Sequence, residues 1–147
     1  MPYTLGHLWF IKRKLNAAEA VAYLERLNSK GKKIYAGLRI RGTEADPGLV
    51  QEVVDHFGEF QLCLIPAIYF KGKVCGNRRR SEVMKSFFKE HHNTLSKIPP
   101  IVVREYRSKL ILLDGWARAE TASSLAIPLL GYVPEKLIPL IKGLIVI

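Results

Sequence analysis

The chain has 147 residues, 48% of them hydrophobic, and carries 23 Lys/Arg against 13 Asp/Glu for a formal net charge of +10. This length is enough to bury a proper core, and the ordinary apolar content excludes an extended disordered chain. No apolar run reaches membrane-spanning length, and Leu5 to Ile11, which is followed at once by charge, is too short for a secretory leader, so the expected location is cytoplasmic.

In chain order, Leu5 to Ile11 suggests a strand that ends at Lys12-Arg13-Lys14. Asn16 with Glu19 three residues on forms a near capping box, and Ala20, Leu24 and Leu27 give the stripe of the helix that follows, with Gly31 as its stop. Lys33 to Arg41 alternates strictly. Ile34, Ala36, Leu38 and Ile40 face one way and Lys33, Tyr35, Arg39 and Arg41 the other, as on a half-wetted strand. Asp46-Pro47 then starts a helix to about Phe57, closed by Gly58.

The second half opens with Gln61 to Phe70, apolar enough for a buried strand. Lys71 to Arg80 has five positive charges and two glycines in ten residues, the composition of an exposed loop. Ser81 is the expected cap of a helix to about His92, with Val83, Met84, Phe87, Phe88 and His91 on its inner side. Neighbouring His91 and His92 point about 100° apart on a helix and cannot share a metal. Pro99-Pro100 launches a strand over Ile101 to Tyr106, and Arg107-Ser108 is short enough to turn it into a hairpin with Leu110–Asp114. A further strand is expected at Ile127 to Val133, then a short helix from Pro134-Glu135 limited by Pro139. The apolar end, Leu144 to Ile147, calls for burial as a strand or in a homodimer interface, or marks the edge of a truncated chain.

The sharpest chemical pattern is Leu110 to Ala122. Leu110–Leu113 reads as a strand, Asp114-Gly115 breaks it, and a helix begins at Trp116 with Ala117, Thr121 and Leu125 one turn apart on one face. A strand that turns through glycine into a helix leaves backbone N–H groups pointing out of the helix N-terminus. Those donors and the helix dipole favour an anion, over which Arg118 in the first turn can close. Gly115, Trp116, Ala117 and Arg118 are therefore the candidate phosphate-binding residues.

Charge placement points the same way. Residues 61–110 hold eleven Lys/Arg against three Asp/Glu, an excess of +8, whereas residues 1–60 hold nine against seven and residues 111–147 balance three against three. A basic concentration on the approach to an anion turn is the footprint of a polyanion partner. Lys71, Lys73, Arg78, Arg79, Arg80 and Arg104 are the candidate nucleic-acid contacts. Cys63 and Cys75 read as a strand core residue and a loop thiol, with no metal-type spacing. Only two Gln and four Asn occur, a faint thermophile signature.

From about Leu62 to Leu140 the chain resembles the ParB/sulfiredoxin-like fold. The matching stretches are Leu62 to Tyr69, Asn77 to Arg80 with the helix from Ser81, Pro99 to Glu105, and Asp114-Gly115-Trp116-Ala117-Arg118. In that family a Gly-x-x-Arg turn opens a helix and holds nucleotide or DNA-linked phosphate, as Gly115-x-x-Arg118 would here. No branch is matched in full. Trp116 stands where sulfiredoxins carry their catalytic Cys, and Trp116-Ala117 replaces both the His pair of the archaeal free-serine kinases and the Glu-Arg pair of ParB proteins. The catalytic Glu of the kinases has no clear counterpart. The resemblance implies an α/β (α+β) mixed sheet over residues 61–147, preceded by a β-α-β-α extension over residues 1–60 packed on it. It further implies a DNA- or nucleotide-binding module. The alternative is a nucleotide-dependent phosphotransferase or nuclease that uses Asp114 with magnesium and a nucleoside di- or triphosphate.

Overall fold

Every residue of the strand Phe60–Ile65 (β2) is buried, because neighbours flank it on both edges. In the computed structural model, the residues described are 12–16, 18–20, 23, 59–74, 76, 78–91, 94–107 and 109–147. The expected strand at 5–11, the alternating strand at 33–41, the helix after Asp46, and Cys75, Asn77, His92 and Ser108 lie outside them.

The fold is α/β, and among the described residues it is a mixed six-stranded sheet with helices. The other strands are Lys14–Leu15 (β1), Ile101–Tyr106 (β3), Lys109–Asp114 (β4), Leu129–Pro134 (β5) and Ile145–Val146 (β6). Their order is β1-β2-β5-β3-β4, with β3 parallel to β5 and the other pairs antiparallel. β1 and β6 share one edge of β2, meeting Phe60-Gln61 and Cys63-Leu64 respectively. Between them, buried Gln61 donates its side-chain amide to the Arg13 carbonyl at 3.1 Å and, at 3.4 Å, to the Ile147 carbonyl. A buried amide needs such partners, and here they tie both flanking segments to the central strand. The last residues thus form a strand, but Ile145 and Val146 keep exposed side chains.

Asn16 and Glu19 complete their capping box. The Glu19 N–H donates to Asn16 Oδ1 at 2.8 Å, and the Asn16 N–H to Glu19 Oε1 at 3.1 Å. Lys12 also pairs with Glu19, and together these contacts hold the Glu19 carboxyl below its usual range.

β2 is shorter than expected. Pro66 removes a ladder donor, and the chain passes into a 3-10 turn over Ala67–Phe70 whose Phe70 is buried. Helix α1 spans Arg78–His91 and so begins three residues before Ser81. Ser81 is not its cap. It lies buried inside the helix and donates its hydroxyl to Glu120 Oε2 at 3.3 Å. Met84 and Phe88 enter the core, while Val83, Phe87 and His91 are half-buried.

β3 and β4 form the expected hairpin across Arg107-Ser108, with Tyr106 opposite Lys109. Arg107 has φ 51°, as a two-residue hairpin turn demands. Val102 pairs with Asp114 but Val103 with Leu112, so Leu113 is the extra residue of a β-bulge just before the turn.

Helix α2 spans Trp116–Leu125 and packs on α1 and on the 3-10 turn after β2. It ends in a Schellman motif: the Ala126 N–H meets the Ser123 carbonyl at 3.2 Å and the Ile127 N–H meets the Ala122 carbonyl at 3.0 Å. Ala117, Arg118, Ala119, Thr121 and Ala122 are buried, but Leu125, expected on the same stripe, is exposed. The buried positions fall within Ala117–Ala122, and the last turn is left outside. No helix among the described residues is long and apolar enough to cross a membrane.

Candidate functional site

Gly115 joins β4 to α2 with φ 108° and ψ 29°, backbone angles that L side chains resist. Space is a second constraint. A Cβ on Gly115 would collide with the Ile101 side chain, 2.9 Å from its Cβ. Gly131 meets the other side of Ile101, where an added Cβ would lie 3.0 Å from Cγ1. The start of β3 is therefore pressed between two glycines, and the end of α2 sits directly on it. Having no side chain, Gly115 cannot cap α2, and the first turn holds no acidic residue. The helix N-terminus therefore keeps its positive partial charge.

Arg118 takes a position that the sequence pattern does not reveal. It is only 1% exposed and turns inward, where Nη1 donates to the Pro99 carbonyl at 2.7 Å and the Pro100 carbonyl at 2.9 Å. Tyr23 donates its hydroxyl to the same Pro100 carbonyl and stacks edge-on against Tyr132 at 5.3 Å. The guanidinium holds the entrance of β3 beneath the turn, with Nη2 3.4 Å from where a Gly115 Cβ would stand. Its charge therefore acts on the helix end from below, through a low-dielectric interior. The stem of Arg118 spans the gap because Pro99 and Pro100 present carbonyls without competing N–H groups.

The basic segment meets this turn from the side. Lys73 Nζ lies 5.6 Å above the centre of the Trp116 ring, a cation–π distance. Lys71 is exposed, as are Arg78 and Arg79 in the first turn of α1. Five Cα–Cα steps separate Lys73 from Arg78, so their Cα atoms are at most about 18 Å apart. Arg78 pairs with Glu82 at 3.3 Å, but both side chains are well exposed and such a pair contributes little. Arg80 belongs to the same helical turn. Arg104 is placed differently. It is half-buried on β3 opposite Ile111, on the sheet rather than on the basic segment.

Asp114 closes β4 opposite Val102. The side chains of Asp114 and Arg80 lie outside the described part of the structure. Among the described residues no group of three or more His, Cys, Asp or Glu is arranged to hold a metal ion. Cys63 is buried in β2, and burial pushes its thiol up to about 11, so it stays protonated and unreactive near neutral pH.

The geometry thus brings together Lys73, Trp116 and the N-terminal end of α2, with Arg118 as the support underneath, while Arg78 and Arg79 open α1, which packs on α2. Two contributions escaped sequence reasoning. The inward turn of Arg118 depends on Pro99 and Pro100, which are distant in sequence. The exposure of the Trp116 ring depends on α2 presenting its first residue outward. In comparisons with known proteins, the chain matches no family model, no curated protein and no solved structure.

Proposed function

We propose that the protein is a polyanion-binding module whose ligand is the phosphate of DNA or of a nucleotide. The observation that carries this reading is the Lys73–Trp116 contact at 5.6 Å, which joins the basic segment to the glycine-opened end of α2 on one surface. Backbone N–H groups at Trp116 and Ala117 would take the anion, and Lys73 supplies the neutralising charge. Lys71, Arg78 and Arg79 extend the positive surface along a backbone, and Arg118 acts as a positioning residue. The +8 excess of residues 61–110 favours the same partner, as does the ordered resemblance of residues 62–140 to the ParB/sulfiredoxin-like fold.

In this reading no chemistry follows binding. The test is titration of labelled DNA at two salt concentrations, with and without a panel of nucleotides and magnesium, while nucleotide hydrolysis is assayed in the same tubes. Salt-sensitive DNA binding without turnover is expected. Magnesium-dependent turnover with no DNA binding would replace the module with a phosphotransferase or nuclease and direct attention to Asp114.

A further inference from the structure

Trp116 opens α2 with 42% of its surface exposed, and the segment between β2 and α1 exposes Ile68 and Val74 at 74% and 68%. Single exposed apolar residues need no explanation, but these three share a corner. The 3-10 turn that carries Ile68 packs on α2, and Lys73, the neighbour of Val74, sits over the indole. Lys71 and Lys73 lie on the same segment, and exposed Arg78 and Arg79 open α1, which packs on α2.

Duplex DNA offers such a surface only phosphates, because its bases are stacked away in the helix. An exposed indole gains from nucleic acid only when a base is free to lie against it. A single bound nucleotide could use the ring, but the cations continue from the loop into the first turn of α1, along the course of a strand. Aromatic platform and tracking cations together match single-stranded nucleic acid.

We propose that this corner binds single-stranded nucleic acid, with one base stacked on Trp116 and the flanking phosphates on Lys71, Lys73, Arg78 and Arg79. The proposal rests on the polyanion reading above and names its substrate class. The Lys73 ammonium holds the indole in place from one side and meets the phosphate next to the stacked base. The Arg78–Glu82 pair opens at little cost when a phosphate displaces the carboxylate.

The experiment is fluorescence anisotropy with a labelled single strand of about 15 nucleotides, its duplex form and heparin as competitors. Thermal melts establish that each variant is folded. Trp116→Ala should weaken single-strand binding about tenfold, and Trp116→Phe should restore most of it. Duplex should bind more weakly than the single strand and be indifferent to Trp116→Ala. The chain has two tryptophans, Trp9 and Trp116, so a Trp9→Phe background isolates the Trp116 emission, which should be quenched by the single strand. Unchanged affinity in folded Trp116→Ala, equal or tighter duplex binding, or equal competition by poly-glutamate would overturn the single-strand proposal while leaving anion binding in place. Failure of single strand, duplex and heparin alike would overturn the polyanion reading with it.

Discussion

Arg118 Nη1 donates to the carbonyl oxygens of both Pro99 and Pro100, at 2.7 and 2.9 Å, from a side chain that is 1% exposed. A residue of the first turn of α2 therefore fixes the entrance of β3, and the turn at Gly115 is held between them. Replacing Arg118 by Met keeps much of the apolar stem but takes the donor from the Pro99 carbonyl, while the Pro100 carbonyl keeps Tyr23. The expected cost is about 1–3 kcal/mol in urea unfolding, because one inward-facing acceptor loses its partner. Arg118→Lys should recover only part of it, since one ammonium replaces a fork of donors. A loss below about 0.5 kcal/mol in Arg118→Met would remove the clamp from the account.

Gly115 is constrained by Ile101 as much as by its own backbone. Gly115→Ala should destabilise by about 2–4 kcal/mol, combining the strain of φ 108° with the collision against Ile101. Ile101→Ala creates a cavity on its own, yet it removes the nearer colliding atom, Cγ2, and leaves only the Cβ contact. The double variant should then be less destabilised than the sum of the singles, by about 1 kcal/mol in a double-mutant cycle. Strict additivity would mean that the strain is in the backbone alone.

Thr121 is 0% exposed and its hydroxyl has no hydrogen-bond partner among the described residues. Thr121→Val preserves the shape and removes the burden of a buried hydroxyl, so chemical denaturation should give a gain of about 1 kcal/mol. A loss of similar size would mean that the hydroxyl is satisfied.

The Cys63 thiol gives the protein an alkaline weakness. Its folded-state value is raised from 9.0 to about 11 by burial, so between these values the unfolded chain has released the proton that the folded chain retains. Stability from this group is complete below about pH 9 and is lost as pH rises toward 11, at up to about 1.4 kcal/mol per pH unit. The difference between the native chain and Cys63→Ala, followed by urea midpoints from pH 8 to 11, isolates it from the lysines. Parallel pH profiles would show a thiol of ordinary acidity. A thiol reagent should correspondingly label Cys63 only at the rate of unfolding.

Local chemistry made much of this fold legible. The Asn16–Glu19 box, the hairpin across Arg107-Ser108, and the strand–Gly115–helix turn each depend on a few adjacent residues, and each is present in the structure. Readings that depend on distant neighbours fared differently. Ser81 looks like a cap, but its hydroxyl is taken by Glu120 of the packed helix and α1 starts earlier, at Arg78. Leu125 matches the α2 stripe by spacing, yet it falls in the last turn, where the helix ends in its Schellman motif, and is exposed. The Leu113 bulge leaves no local signature, because it is set by the register against Val102 and Val103. At the candidate site, the turn and the basic run are visible in sequence, whereas their meeting at Lys73 and Trp116 requires the 3-10 turn to pack on α2.

The most direct test of the account is the salt dependence of DNA affinity in the native chain and in a Lys73→Gln/Arg78→Gln/Arg79→Gln variant. All three side chains lie on the surface or partly so, and the variant should remain folded. Phosphate contacts release counterions, so log affinity should fall linearly with log salt, and each lost cation should flatten the slope by about 0.7–0.9. The native slope should be steep, and flatter by about two units or more in the variant. A flat native response, or the same slope in both proteins, would contradict phosphate binding at this corner.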